Sequence, residues 1–185
     1  MSSSNWGGNT PPEASSAVFV VADSIKIDAP IDKVWEILLD FKSYNEWNPF
    51  VRKQILVDPK TRQPLPNQTL TVGNHVYMYP VHLPPSLDAS ELWPWQRTNS
   101  TSVVITYLDP ANHRVAWRTT GMPSFLLDAE RWQIVSVEAD GKVRYESYEA
   151  FRGVLAYVVK LFVGAHLKTA VKAMAEGIKT RAEAA

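Results

Sequence analysis

Few side chains in this chain could move a proton in an apolar setting, and most of them sit in alternating runs. Between residues 127 and 151, Glu130 shares a strand face with Trp132 and Ile134, and Glu149 shares one with Tyr145, Ser147 and Phe151. A carboxylate beside Trp132 or Phe151 is desolvated, which raises its pKa and suits it to general acid or base work near neutral pH. Neighbouring strands could aim both glutamates into one hollow. The alternative is that either glutamate pairs with Arg118, Arg131 or Arg152 and is structural. His166 falls on the apolar side of a C-terminal helical pattern, one turn after Phe162. It is read either as a proton shuttle or ligand-bonding imidazole in a cavity wall, or as a core histidine bonded to a backbone carbonyl. His75, Tyr77 and Tyr79 alternate along one strand. On a concave face they would orient a phenolic or carbonyl substrate and stabilise an enolate during ring closure. On a convex face they are ordinary solvent-facing residues, and parity leaves both open.

The elements that must position these groups follow from the change of period along the chain. Residues 18–27 are β-branched and end at Asp28-Ala29-Pro30, a first strand followed by a helix carrying Ile31, Val34, Trp35, Leu38 and Leu39. A second short helix is predicted over 41–47, stopped by Asn48-Pro49. Period two then predicts strands over 51–57, 69–82, 101–109, 113–119, 127–139 and 142–151. Gly73 reads as a bulge and Asp140-Gly141 as a hairpin turn. The proline-rich stretch 83–99, with Leu92, Trp93 and Trp95, reads as an aromatic loop able to close over an opening. After Gly153 one long amphipathic helix is expected to run to the end, with a first half apolar nearly all round and therefore buried on both sides. Residues 1–16 read as a disordered tail and 17–185 as a single domain.

Composition narrows the function classes. Nineteen basic residues balance nineteen acidic ones, so no basic excess is available for nucleic acid, and there is little electrostatic pull toward a bilayer. No cysteine is present, which excludes disulfides and thiolate chemistry. Neither a secretory leader nor a run long enough to span a membrane is evident, so a cytoplasmic protein without stable membrane insertion is expected. There is no metal-ligand spacing, phosphate loop or G-x-S-x-G, and no metal or redox cofactor is implied.

Several segments resemble the START-like (SRPBCC) superfamily and, within it, the polyketide cyclase/dehydrase-like branch. They are Ile27-Asp28-Ala29-Pro30-Ile31-Asp32-Lys33-Val34-Trp35, the run from Asp40 to Phe50, Val72-Gly73, Val115-Ala116-Trp117-Arg118, and Glu149 to Leu155. The resemblance covers residues 18 to 180 and implies a helix-grip α+β fold, with a curved antiparallel sheet of about seven strands wrapped around a long C-terminal helix. It departs from the pattern at Glu130-Arg131-Trp132, where many relatives carry a histidine, and in a longer, more aromatic 80–95 segment.

Such a fold implies a cavity for a small hydrophobic ligand, with Glu149, Glu130 and His166 as candidate catalytic groups. His75, Tyr77, Tyr79, Trp93, Trp117, Trp132, Tyr145, Phe151 and Phe162 are the candidate substrate-binding residues. The function implied is cyclisation, dehydration or isomerisation of a polyketide-like intermediate. A lipid, sterol or isoprenoid-quinone carrier is the alternative, and an interaction module whose cavity is filled by its own side chains is a third. The substrate and the oligomeric state are not legible.

Overall fold

The structure is a computed structural model and describes residues 6–184. β1 (Phe19–Ile27) leads into α1 (Ile31–Leu39) and α2 (Tyr44–Trp47), then β2 (Gln54–Val57), β3 (His75–Met78), β4 (Thr101–Asp109), β5 (Arg114–Thr119), β6 (Asp128–Val137) and β7 (Val143–Arg152). Two helices close the chain, α3 (Leu155–Phe162) and α4 (Gly164–Glu183). The strands form one antiparallel sheet in the order β1-β7-β6-β5-β4-β3-β2. Every strand after β2 is thus a neighbour of its predecessor, and β1 returns beside the last. This is the expected helix-grip α+β architecture.

Most predicted strands lie within a few residues of the observed ones. The 69–82 strand is the exception, shrinking to His75–Met78. Gly73, at φ 89°, turns the chain just before it, and Tyr79-Pro80 ends it because proline cannot donate to the ladder. The short helix also starts later than predicted, at Tyr44.

The single long terminal helix is corrected to two. Val163, at φ −123° and ψ −19°, leaves helical geometry between Phe162 and Gly164. The expectation that the first half is buried on both sides fails as well. In α3 only Ala156 is buried, whereas α4 buries Leu167, Val171, Met174 and Ile178 against the sheet and α1.

Cross-strand pairing fixes which residues face inward. Residues directly opposite share a face, so Val115↔Gln133, Trp117↔Arg131 and Arg131↔Glu149 form one inward row. Ala116↔Trp132 and Arg118↔Glu130 form an outward row. The inward row packs with Val21, Ile27, Tyr145, Phe151 and the α4 face as the main core. Asn48 organises the turn into β2 by accepting from Phe50 N at 2.9 Å and Val51 N at 3.1 Å. α4 can approach α2 closely only because residue 177 is glycine, where a Cβ would lie 2.5 Å from the Trp47 carbonyl oxygen.

Residues 6–16, within the stretch read as a tail, lie against the outer face of β6 and β7. Trp6 stacks under the Arg152 guanidinium at 4.2 Å, Gly7 N donates to Glu130 Oε2 at 2.6 Å, and Tyr148 OH donates to the Pro12 carbonyl at 2.7 Å. Sequence missed this because no apolar periodicity marks it; single anchoring contacts do the work. Residues 1–5 of that expectation lie outside the described residues.

Candidate active site

Between the concave face of the sheet and the α3–α4 junction lies an open cavity of about 500 Å³. Its wall is mostly apolar: Phe50, Leu83, Ala129, Phe151, Val159 and Phe162 are among its residues. Trp95 and Phe162 stand at its opening. A hollow of about 570 Å³ lies elsewhere, by Phe41, Arg52, Ile55 and Leu65, but no carboxylate or histidine lines it. A further hollow of about 470 Å³, by Trp47, Pro49 and Leu87, carries Glu46 and Glu176, both exposed and ion-paired with Arg181 and Lys172. The concave cavity is the one that joins an apolar body to an acid–base group without an ion-pair partner among the described residues.

That group is Glu149. β7 parity keeps it on one face with Ser147 and Phe151, as the sequence predicts; that face is the inward one, and Glu149 lines the cavity. Its Oε2 is buried and has no hydrogen-bond partner among the described residues. Burial raises the carboxyl's pKa, opposed by the positive charge of Arg131 across the β6–β7 pair. Arg131 does not close an ion pair with it. The Arg131 Nε donates to Ser147 Oγ at 3.1 Å, its Nη2 reaches Met174 Sδ at 3.4 Å, and the guanidinium lies 5.3 Å from the Phe50 ring centre. The arrangement is a glutamate on the wall of an apolar chamber, with one carboxyl oxygen covered and unpartnered and a buried cation near it.

The pairing of two glutamates in one hollow is corrected. Glu130 lies opposite Ala150 and Arg118, on the convex face, where Trp132 Nε1 donates to its Oε1 at 2.7 Å and Gly7 N to its Oε2. Burial raises its pKa too, held back by the Trp132 hydrogen bond. β6 is buried on both faces, so an apolar neighbour such as Trp132 did not identify the concave side. The arginines proposed as partners go elsewhere. Arg118 and Arg152 both bind Asp128, at 2.5 and 2.7 Å. No sequence signal had singled out that aspartate.

The other candidates divide by face. His166 lines the cavity near its opening and is exposed, so it is not a core histidine. Phe151 and Phe162 line the cavity as well. Trp117 and Tyr145 face inward but are packed into the core; Tyr145 OH donates to Gln133 Oε1, and burial pushes its pKa up to about 12. Trp132 is fully buried on the convex side against Tyr107. His75 and Tyr77 pair with Val104 and Ser102 on the convex face, where they line a polar hollow of about 380 Å³, and Tyr79 stacks on Tyr77 there. The concave reading of that strand is thereby corrected, because its inward positions are taken by Val76 and Met78. Trp93 is exposed and stacks on Trp95 at 5.4 Å, and only Trp95 reaches the cavity lining. Sequence missed Thr119, Ala129 and Leu83 as lining residues, since small and aliphatic side chains carry no chemical signal.

Comparison with known proteins agrees with this fold. The profile of the family described as "Polyketide cyclase / dehydrase and lipid transport" matches residues 18–183. "Oxopyrrolidines biosynthesis cluster protein O" of Penicillium oxalicum (strain 114-2 / CGMCC 5302) is 27% identical, covering 92% of this chain and 89% of its own. A START superfamily protein from Mycobacterium smegmatis has the same fold at TM-score 0.55 and 13% identity, over 88% of this chain and 98% of its own. So does the di-domain ARO/CYC BexL from the BE-7585A biosynthetic pathway, at TM-score 0.59 and 18% identity, over 90% of this chain and 50% of that one. At such identities the two structures show the fold alone.

Proposed function

The chain belongs to the polyketide cyclase/dehydrase and lipid transport family, and from that premise we propose that it is a cytoplasmic protein that binds a small, mostly apolar carbonyl compound in the concave cavity and catalyses its cyclisation, dehydration or isomerisation. The observation that carries this reading is Glu149, which lines the cavity and whose carboxyl has a raised pKa and a covered Oε2 without a hydrogen-bond partner. As carboxylate it takes a proton from a carbon beside a carbonyl. The resulting enolate attacks a second carbonyl of the same molecule, and the protonated Glu149 returns its proton to the new alkoxide. Holding both carbonyls in one apolar-walled chamber supplies the proximity that an intramolecular closure needs. Arg131 keeps the carboxyl from becoming too reluctant to ionise, and exposed His166 at the opening can relay a proton to solvent. The Penicillium oxalicum relative, a biosynthesis cluster protein, supports a place in the making of a secondary metabolite.

The test is Glu149→Gln, which keeps size and shape but cannot accept the proton. It is expected to lower turnover of an aromatic or polyketide-like carbonyl substrate by roughly 10²–10⁴-fold with the substrate Kd little changed. Turnover equal to wild type would remove Glu149 from the reaction. Because the base must be ionised, the rate should rise with pH through a value above the ordinary glutamate value of 4.5. A carrier for a lipid, sterol or quinone is the second reading, favoured by the apolar wall and open mouth of the cavity. It predicts ligand binding indifferent to Glu149→Gln and no chemical change in the extracted ligand.

A further inference from the structure

α3 is the least buried apolar element of the molecule. Five of its eight residues are large apolar side chains standing 37–77% exposed, with Leu161 and Phe162 the most exposed. Helices of soluble domains normally turn such side chains to the core, and an exposed cluster of this kind marks a contact surface. The cluster does not stop at the helix. Phe125, 68% exposed, adjoins its start, where the Phe125 carbonyl accepts from Val154 N. Across the cavity opening from Phe162 stands Trp95, stacked on Trp93, each 65% exposed. One apolar and aromatic rim therefore borders the mouth of the cavity.

Charge tells which occupant fits. From Gly153 to Ala175 the chain contains Lys160, Lys168 and Lys172 and not one acidic residue, although the whole chain is neutral; the carboxylates ahead of the tryptophan loop, Asp88 and Glu91, are held by local hydrogen bonds from Ser90 N and Ser86 Oγ. Lys172 leans on Glu176 at 3.8 Å, whereas Lys160 and Lys168 make no ion pair among the described residues. A second copy docked on the same face would set lysines against lysines, since a two-fold contact brings identical patches together. An anionic bilayer meets all three properties: apolar side chains enter the acyl boundary, tryptophan and tyrosine sit at headgroup level, and lysines reach the phosphates. We propose that α3 and the Trp93–Trp95 loop form a peripheral docking surface for an anionic lipid bilayer, and that the cavity opens onto the membrane through it. The cavity ligand would then enter from the lipid phase without crossing water. This docking does not rest on catalysis by Glu149, so loss or retention of turnover in Glu149→Gln leaves it untouched.

The experiment is co-sedimentation of the full chain with phosphatidylcholine vesicles, with and without phosphatidylserine. Wild type is expected to bind the anionic vesicles several-fold more tightly than the neutral ones, and to release them as salt rises. Tyr157→Asp with Leu161→Asp, two exposed positions that do not line the cavity, should lower binding about tenfold or more while circular dichroism and cavity ligand affinity stay as in wild type. Lys160→Gln with Lys168→Gln should abolish the preference for anionic vesicles. Folded wild type that ignores both vesicle types would overturn the proposal, as would binding unchanged in the aspartate variant. A wild-type dimer that Leu161→Asp splits, with no vesicle binding, would assign the face to a second copy instead.

Discussion

Glu149 and Glu130 are both buried carboxyls with raised pKa values, yet their surroundings give them different work. Glu130 has both oxygens occupied, one by Trp132 Nε1 and one by Gly7 N, and therefore holds the N-terminal strap to the sheet. Glu130→Ala should cost about 1–3 kcal/mol in denaturant unfolding, because it strands the buried Trp132 Nε1 and releases Gly7 N, while leaving cavity binding intact. Unchanged stability would mean the strap is not held by this carboxylate. Glu149 has a free oxygen instead and holds its proton more tightly folded than unfolded. The folded state then binds more protons between the ordinary value of 4.5 and the raised one, so its contribution to stability falls as pH rises through that window. Relative to wild type, Glu149→Gln should gain Tm progressively as pH increases from below 4.5 toward neutrality. A Tm difference flat with pH would contradict the raised value. Sequence parity grouped each glutamate correctly with its strand neighbours. It could not say which face was concave, because Trp132 is as buried on the convex side as Phe151 is on the other. Only the pairing of Arg131 with Glu149 separates them.

At the scale of elements, the strands with clear alternation were legible, and β4 matches its predicted span residue for residue. The strand predicted over 69–82 was not, since its β-branched and aromatic residues pattern like a strand although Gly73 and Pro80 confine pairing to four residues. The terminal helix shows the opposite failure. Helical periodicity continues through residues 155–183 and gives no sign of the break at Val163, which reorients α3 away from the core. Close approach of α4 to α2 rests on Gly177. Gly177→Ala should destabilise the protein by about 1–3 kcal/mol, because a Cβ 2.5 Å from the Trp47 carbonyl forces the two helices apart. Thermal unfolding checks this, and an unchanged Tm would mean the helices are not in close contact.

For the whole molecule, an antiparallel sheet in which each strand follows its neighbour needs only local hairpins plus the return of β1 beside β7. That is why the architecture could be read from turn signals and a terminal helical pattern, of which α4 alone is long enough to cover the concave face. The cavity could not be read in the same way. It lies where the α3–α4 junction meets the sheet, lined there by Ala129, Phe151 and Glu149, while α4 packs along β1 and α1. Charge shows the same limit of averaging: a net value of zero conceals a segment of 23 residues that is purely basic.

The central claim, that this chamber and not another hollow takes up a small apolar molecule, is tested most directly by native mass spectrometry with solvent extraction. The freshly purified protein is compared with Ala129→Phe, which fills the chamber beside Phe151 and leaves the hollow near Arg52 alone. A single apolar adduct, co-purified or added, is expected on wild type and absent from the filled variant. Equal adducts on both proteins, or none on wild type with any apolar carbonyl compound, lipid, sterol or quinone, would contradict it.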